Sequence, residues 1–149
     1  EIIMTSDLSG IIKQKTHFFQ IRVFYEDTDF SGIVYHANYL KFAERGRTNF
    51  LRLLGVNHSE LINSDEPKYF VVYKMNSKFL GTSTIDDILE VRSNFKGIEG
   101  VRLKIDQDIY KEEKKVFSAN IEFALLDKSA KPIKFPNDMK LKIKNYLGK

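Results

Sequence analysis

Phe24-Tyr25-Glu26-Asp27-Thr28-Asp29-Phe30-Ser31-Gly32-Ile33-Val34-Tyr35-His36-Ala37-Asn38-Tyr39 is the stretch that decides how this chain folds. Leading into it, Phe19, Ile21, Val23 and Tyr25 alternate with Gln20 and Arg22, the period-two pattern of a half-buried strand. Asp27 to Gly32 breaks the alternation with loop-forming residues. From Ala37 onward, Tyr39, Phe42, Ala43, Gly46, Phe50, Leu53 and Leu54 fall at helical spacing, with Arg45, Arg47 and Arg52 mostly on the other side. Gly55 supplies a stop for that helix. A strand thus runs into a loop dense in carboxylates, and the loop delivers His36 to the first turn of a long helix.

Further along, Gly46 costs about 1 kcal/mol relative to alanine in mid-helix, so a crossing strand is expected to pack against it. His58 to Asn63 reads as a short second helix, closed by Asp65, Glu66 and Pro67. The remainder is mostly strand. Tyr69, Val71, Tyr73, Met75 and Phe79 alternate up to Gly81, and Ile88 to Phe95 forms another strand, reversed by Lys96-Gly97-Ile98-Glu99-Gly100. Val101, Leu103, Ile105 and Ile109 alternate with Arg102, Lys104, Asp106 and Asp108; Lys111 to Lys115 is a hairpin tip, and Phe117 to Leu125 returns. Pro132 and Pro136 mark an irregular stretch before a short terminal helix, Asp138 to Leu147. One long helix and several antiparallel strands predict an α+β fold whose sheet curls around the helix. The edges of such a sheet favour dimerisation. Residues 1–17 are expected to form a flexible arm and residues 18–149 a single domain.

Composition narrows the function classes. The 149 residues suffice for one core, and 42% hydrophobic with 30% charged residues is the balance of a folded globular chain. No run of about 18 apolar residues is present, so no membrane span is expected, and no secretory leader is read at the start. Zero cysteines excludes disulfides, thiolate nucleophiles and cysteine-ligated metals, and fits a cytoplasmic location. The net charge of +4 is carried by the tail: residues 128–149 hold seven lysines against Asp138, leaving the body slightly acidic. A solvated terminus explains that pattern better than a nucleic-acid-binding stripe, which would spread over the body.

Asp27 and Asp29 could each simply cap or turn the loop, the commonest use of an aspartate ahead of a helix. What shifts the balance is their company: Ser31-Gly32 lets the backbone swing, and Tyr35-His36 lands at the helix start. The first N–H groups of a helix have no internal partners, and its dipole favours negative charge there. An acid, an imidazole and free amides in one small volume are the parts that acyl-bond cleavage needs without a metal or organic cofactor. His17 and His58 read as surface or packing residues, and no histidine pair has metal-ligand spacing. Glu44, eight residues beyond His36, can orient a water or the histidine, or pair with Arg45 or Arg47.

These residues resemble the hotdog-fold acyl-CoA thioesterases of the 4-hydroxybenzoyl-CoA thioesterase class, and within it the YbgC-type branch associated with the Tol-Pal envelope system. The likeness lies in Tyr25 to Asp29, in Gly32 to Tyr39, in Glu44-Arg45-Gly46-Arg47-Thr48, and further on in Phe70-Val71-Val72 and Asp86 to Glu90. The resemblance implies a long helix wrapped by a five- or six-stranded antiparallel sheet, with protomers joined edge to edge and pairs assembling into a homotetramer. It implies hydrolysis of a short-chain or aromatic acyl-CoA to free acid and coenzyme A, with no cofactor or metal, and an acyl carrier protein as a candidate partner. By the same resemblance Asp29 is the catalytic carboxylate. His36 polarises the thioester carbonyl through its N–H, its ring or both; Tyr35 and Glu44 line the site, and Lys96 meets the nucleotide end. Tyr73 departs from the branch, which often has arginine there. The alternative is a non-catalytic acyl-CoA or acyl-carrier binder, or an envelope-system interaction protein.

Overall fold

Alternation along four long strands and a single apolar helix stripe generate this architecture. The computed structural model describes residues 8 and 10–148. In chain order the elements are β1 (Ile11–Lys13), β2 (Thr16–Arg22), a 3-10 turn (Tyr25–Asp27), α1 (His36–Leu53), α2 (His58–Ile62), β3 (Tyr69–Phe79), β4 (Ile88–Glu99), β5 (Arg102–Lys111), β6 (Lys114–Leu126), β7 (Pro132–Ile133) and α3 (Asn137–Lys144). They make one antiparallel sheet in the order β1-β2-β4-β5-β6-β3, with β7 beside β6. The α+β arrangement expected from the sequence, one long helix against an antiparallel sheet, is thus present. Two short strands, β1 and β7, bring the sheet to seven. Of the expected arm, residues 1–7 and 9 lie outside the described residues, while β1 and the start of β2 occupy the rest.

The inward side chains of β4, β5 and β6 are buried: Leu89, Val91 and Phe95, then Leu103, Ile105 and Ile109, then Phe117, Ile121 and Phe123. Against them α1 lays Tyr39, Phe42, Ala43 and Phe50. Each such side chain contributes roughly 1.5–3 kcal/mol on burial, and together they form one core. The close approach expected at Gly46 is there: a Cβ on it would lie 2.8 Å from Val91 Cγ1 in β4. Gln107 of β5 ties helix to sheet, donating to the Ala43 carbonyl and Ser93 Oγ, each at 2.9 Å, and accepting from Arg47 Nη1 at 3.0 Å.

Two expectations are corrected. Lys96 and Gly97 do not reverse the chain: β4 runs on through a bulge between Phe95 and Gly97 to Glu99, and the turn falls at Gly100, whose φ is +62°. The bulge accommodates the flexible Gly97 without ending the strand. The terminal helix stops at Lys144, because Leu147 leaves it to bridge Phe95 and Gly148 N–H donates to the Phe95 carbonyl at 2.9 Å.

Among the described residues β3 pairs only with β6, and the sheet ends there. Its eleven residues include exposed Tyr69, Val71, Val72, Tyr73 and Phe79. A long apolar edge with unpaired backbone groups is a pairing surface.

Candidate active site

The loop between β2 and α1 is a miniature hairpin. Thr28 faces Val34 in an antiparallel bridge, the Asp29 N–H donates to the Ile33 carbonyl at 2.9 Å, and Gly32, at φ +88°, turns the chain. The two acids have different jobs within it. Asp27 is only 9% exposed. Its Oδ2 accepts the Phe24 N–H at 2.8 Å, while its carbonyl accepts the Tyr35 N–H at 2.9 Å and Asn38 Nδ2 at 2.8 Å. It clamps the loop to the helix start. Asp29 is half-buried, and its Oδ1 accepts the Ser31 N–H at 2.9 Å and the Ser31 hydroxyl. Among the described residues no donor reaches its Oδ2, so one carboxylate oxygen is fixed and the other is available.

Helix α1 opens at Tyr35, whose side chain makes no capping bond, and its first turn contains no acid. The Asn38 N–H turns back to the Tyr35 carbonyl at 2.8 Å. The His36 and Ala37 N–H groups meet no acceptor among the described residues, leaving two aligned donors at the positive end of an 18-residue helix. In the hairpin register Asp27 opposes Tyr35, so Asp29 stands two residues, about 7 Å, along from the helix opening. The exposed His36 ring lies 4.7 Å from the Tyr35 ring and meets Phe79 edge-on at 5.6 Å. Tyr35, the His36 ring and the open amides thus lie at one end of α1 beside the end of β3, and the hairpin that carries Asp29 leads into that end.

The sequence reading missed the wall behind them, the segment between β3 and β4. Ser83 accepts the Val34 N–H on its carbonyl at 2.8 Å, and its Oγ takes the Tyr39 hydroxyl at 3.0 Å. Burial raises the Tyr39 pKa, so it stays a neutral donor. Thr84 bridges Ile33. Burial works to raise the pKa of Asp87, but the Thr84 N–H and Lys111 outweigh it and hold the carboxyl below its usual range. The run Thr82-Ser83-Thr84 between two strands was the available signal; it reads equally well as a plain connection.

Glu44 and Lys96 lie elsewhere in the protomer. Glu44 is exposed two turns along α1, accepts from Thr48 Oγ1 at 2.9 Å, and borders a cavity of about 90 Å³ with Arg47, Thr48, His58, Phe70 and Val72. Lys96 faces away from α1, beside Lys74 and Lys104 over an outer depression of about 340 Å³. His17, expected at the surface or in packing, is a packing residue and fully buried: Nε2 bonds Asn49 Oδ1 at 2.6 Å and the ring stacks on Phe50 at 4.9 Å. Among the described residues no cluster of three or more His, Asp or Glu could hold a metal ion, and no helix is long and apolar enough to cross a membrane.

A carboxylate with a free oxygen beside two unpaired amides can attack, or aim water at, a carbonyl whose oxygen the amides hold. Comparison with known proteins points the same way. The family described as the thioesterase superfamily matches residues 31–118. The acyl-CoA thioesterase YbgC of Haemophilus influenzae is 33% identical over 123 residues, covering 82% of this chain and 90% of that protein. Its Helicobacter pylori counterpart is 34% identical over 125 residues, 77% and 90% of the two chains. Among solved structures, a probable thioesterase from Bartonella henselae superposes with a TM-score of 0.79 at 40% identity, over 81% of this chain and 99% of that one.

Proposed function

Because the chain belongs to the thioesterase superfamily, we propose that it hydrolyses an acyl-CoA thioester, with a short-chain or aromatic acyl group, to the free acid and coenzyme A. One observation carries the reading: Asp29, with one carboxylate oxygen unbonded among the described residues, sits in the hairpin whose second arm leads directly into the unpaired His36 and Ala37 amides that open α1. The thioester oxygen binds those two N–H groups. Asp29 Oδ2 then attacks the carbonyl carbon or draws a proton from an attacking water. Negative charge builds on the oxygen, and the carbon–sulfur bond breaks as coenzyme A departs as a thiolate that takes up a proton. Direct attack leaves an acyl–Asp29 anhydride that water hydrolyses to the free acid, whereas water attack gives the free acid at once. An oxyanion donor is worth roughly 10²–10³ in kcat, and general-base help about 10²–10⁴; a useful rate draws on both. Ser31 holds Asp29 in place, and Tyr35 and the His36 ring border the carbonyl.

A homo-oligomer belongs to the same reading. The exposed apolar edge of β3 supports pairing with a second copy, and two such pairs give the tetramer. Coenzyme A esters as substrates and a cysteine-free chain support a cytoplasmic address, and the branch resemblance links it to the Tol-Pal system and to acyl carrier protein. The decisive assay is thiol release over a panel of acyl-CoA esters of increasing length. Turnover of at least one ester is expected; tight binding of every ester without thiol release would instead identify a non-catalytic acyl-CoA binder.

A further inference from the structure

The loop that carries Asp29 is gripped from outside by residues 83–87, which lead from β3 into β4. At the loop's entry, the Val23 N–H donates to the Asp87 carbonyl and the Asp86 N–H donates to the Val23 carbonyl, each at 2.9 Å. At its exit, the Val34 N–H donates to the Ser83 carbonyl at 2.8 Å, and Thr84 bridges Ile33. The Ile33 carbonyl in turn accepts the Asp29 N–H at 2.9 Å. Val23 and Val34 are both buried, so water competes little for the bonds made at either grip.

Residues 83–87 belong to no strand or helix, and a turn sets their path. The Asp87 N–H donates to the Thr84 carbonyl at 3.2 Å, and Asp86 sits at φ +72°, a left-handed conformation that side chains disfavour. The Asp87 carboxylate closes this turn. Its Oδ2 accepts the Thr84 N–H at 2.8 Å and Lys111 Nζ at 2.9 Å. Lys111 ends β5, paired with Leu89 of β4 on one side and Lys114 of β6 on the other, so the carboxylate ties the turn to the sheet. From α1, the Tyr39 hydroxyl ties the same segment to the helix through Ser83 Oγ at 3.0 Å. A run of contacts thus leads from Lys111 through Asp87, Thr84 and Ile33 to the backbone of Asp29. The proposed bond-breaking step gives neither Asp87 nor Lys111 a part.

Resting on the thioesterase reading, we propose that Asp87 is a positioning residue: by accepting the Thr84 N–H it closes the turn that fixes the exit arm of the hairpin, and with it the placement of Asp29 against the amides that open α1. Lys111 holds the carboxylate in the orientation that contact needs. Displacing a reacting group by about 1 Å can cost on the order of 10²-fold in rate. Binding of a coenzyme A ester draws on contacts along its whole length, so a small shift of the hairpin leaves it nearly unchanged. A device that acts through alignment therefore shows in kcat and not in KM.

Thiol release by three variants tests the assignment, with the urea midpoint of each as the record of its fold. Asp87→Ala leaves the Thr84 N–H without its acceptor, and kcat should fall by about 10²-fold while KM stays within about twofold of wild type. Asp87→Asn returns an acceptor oxygen of the same reach and should recover most of the lost kcat. Lys111→Met loosens the carboxylate without removing it, so the same kcat-only loss is expected to a lesser degree. A folded Asp87→Ala enzyme with wild-type kcat overturns the proposal, as does a loss confined to KM. An asparagine variant as slow as the alanine one also overturns it, because the charge would then act in the reaction itself. If Asp87→Ala does not fold, Lys111→Met decides: lower kcat at unchanged KM supports the positioning role, and wild-type kcat removes it. Absence of thiol release by the wild-type protein would refute the thioesterase reading, a separate failure from any of these.

Discussion

Two aspartates two positions apart divide structure from chemistry. Asp27 satisfies the Phe24 N–H through its carboxylate, in a buried position. Asp27→Ala should therefore lower unfolding stability by about 1–3 kcal/mol, read from the urea midpoint; an unchanged midpoint would remove its clamping role. His17 makes a second residue-scale prediction. Burial pushes its pKa below the ordinary 6.5, with the Asn49 hydrogen bond opposing. Asn49 Oδ1 also accepts the Gly10 N–H at 2.9 Å, so it is an acceptor, and Nε2 of His17 carries the proton. Nδ1 is then a buried lone pair with no partner. The native state favours the neutral ring, so this contribution is complete above pH 6.5 and declines as pH falls below it, where the unfolded chain binds a proton first. The His58 pKa, lowered chiefly by burial, adds a contribution of the same sign. The urea midpoint should fall between pH 7 and 5, and less steeply in His17→Gln; identical slopes would contradict the account.

At the scale of elements, α1 and its approach were legible because side-chain identity and spacing agree: alternation, a Gly-containing loop, helical periodicity, and a glycine at the strand crossing. The bend of β4 was not. Lys96-Gly97 carries the same local signal as a turn, and only the pairing of Gly97 with Lys104 of β5 keeps the strand going. Nor could spacing separate the roles of Asp27 and Asp29, which differ in burial and in bonds made across the hairpin. Glu44 shares a helix with His36, yet the protomer places it at another cavity; its side of the helix was readable, its neighbours on α2 and β3 were not. The edge strand gives the prediction for this scale. Val72 is 43% exposed on β3, and a lysine there would put a charge on the edge proposed to pair. Val72→Lys should abolish the proposed pairing, read as a smaller mass than wild type in light scattering, with loss of thiol release; an unchanged mass would dismiss β3 as the pairing edge.

For the molecule as a whole, the sheet supplies rigidity and one end of its helix supplies reactivity. The outer face of the sheet is polar and internally matched: Asp106 with Asn120 at 2.8 Å, Asp108 with Ser118 at 2.6 Å, and Arg92 stacked over Tyr110 at 3.9 Å. The apolar exposure concentrates instead along β3 and around the loop, at Phe24, Tyr25, Phe30 and Tyr35. A second copy there would cover those aromatics and close the site from water, strengthening its electrostatics. Asp29 is proposed to perform the carboxylate chemistry on a carbonyl held by the α1 amides. The most direct test is steady-state thiol release by Asp29→Asn, with circular dichroism and the urea midpoint as controls on the fold. A loss of at least about 10²-fold in kcat with stability unchanged is expected; a correctly folded variant retaining most of the wild-type rate would exclude Asp29 from the chemistry.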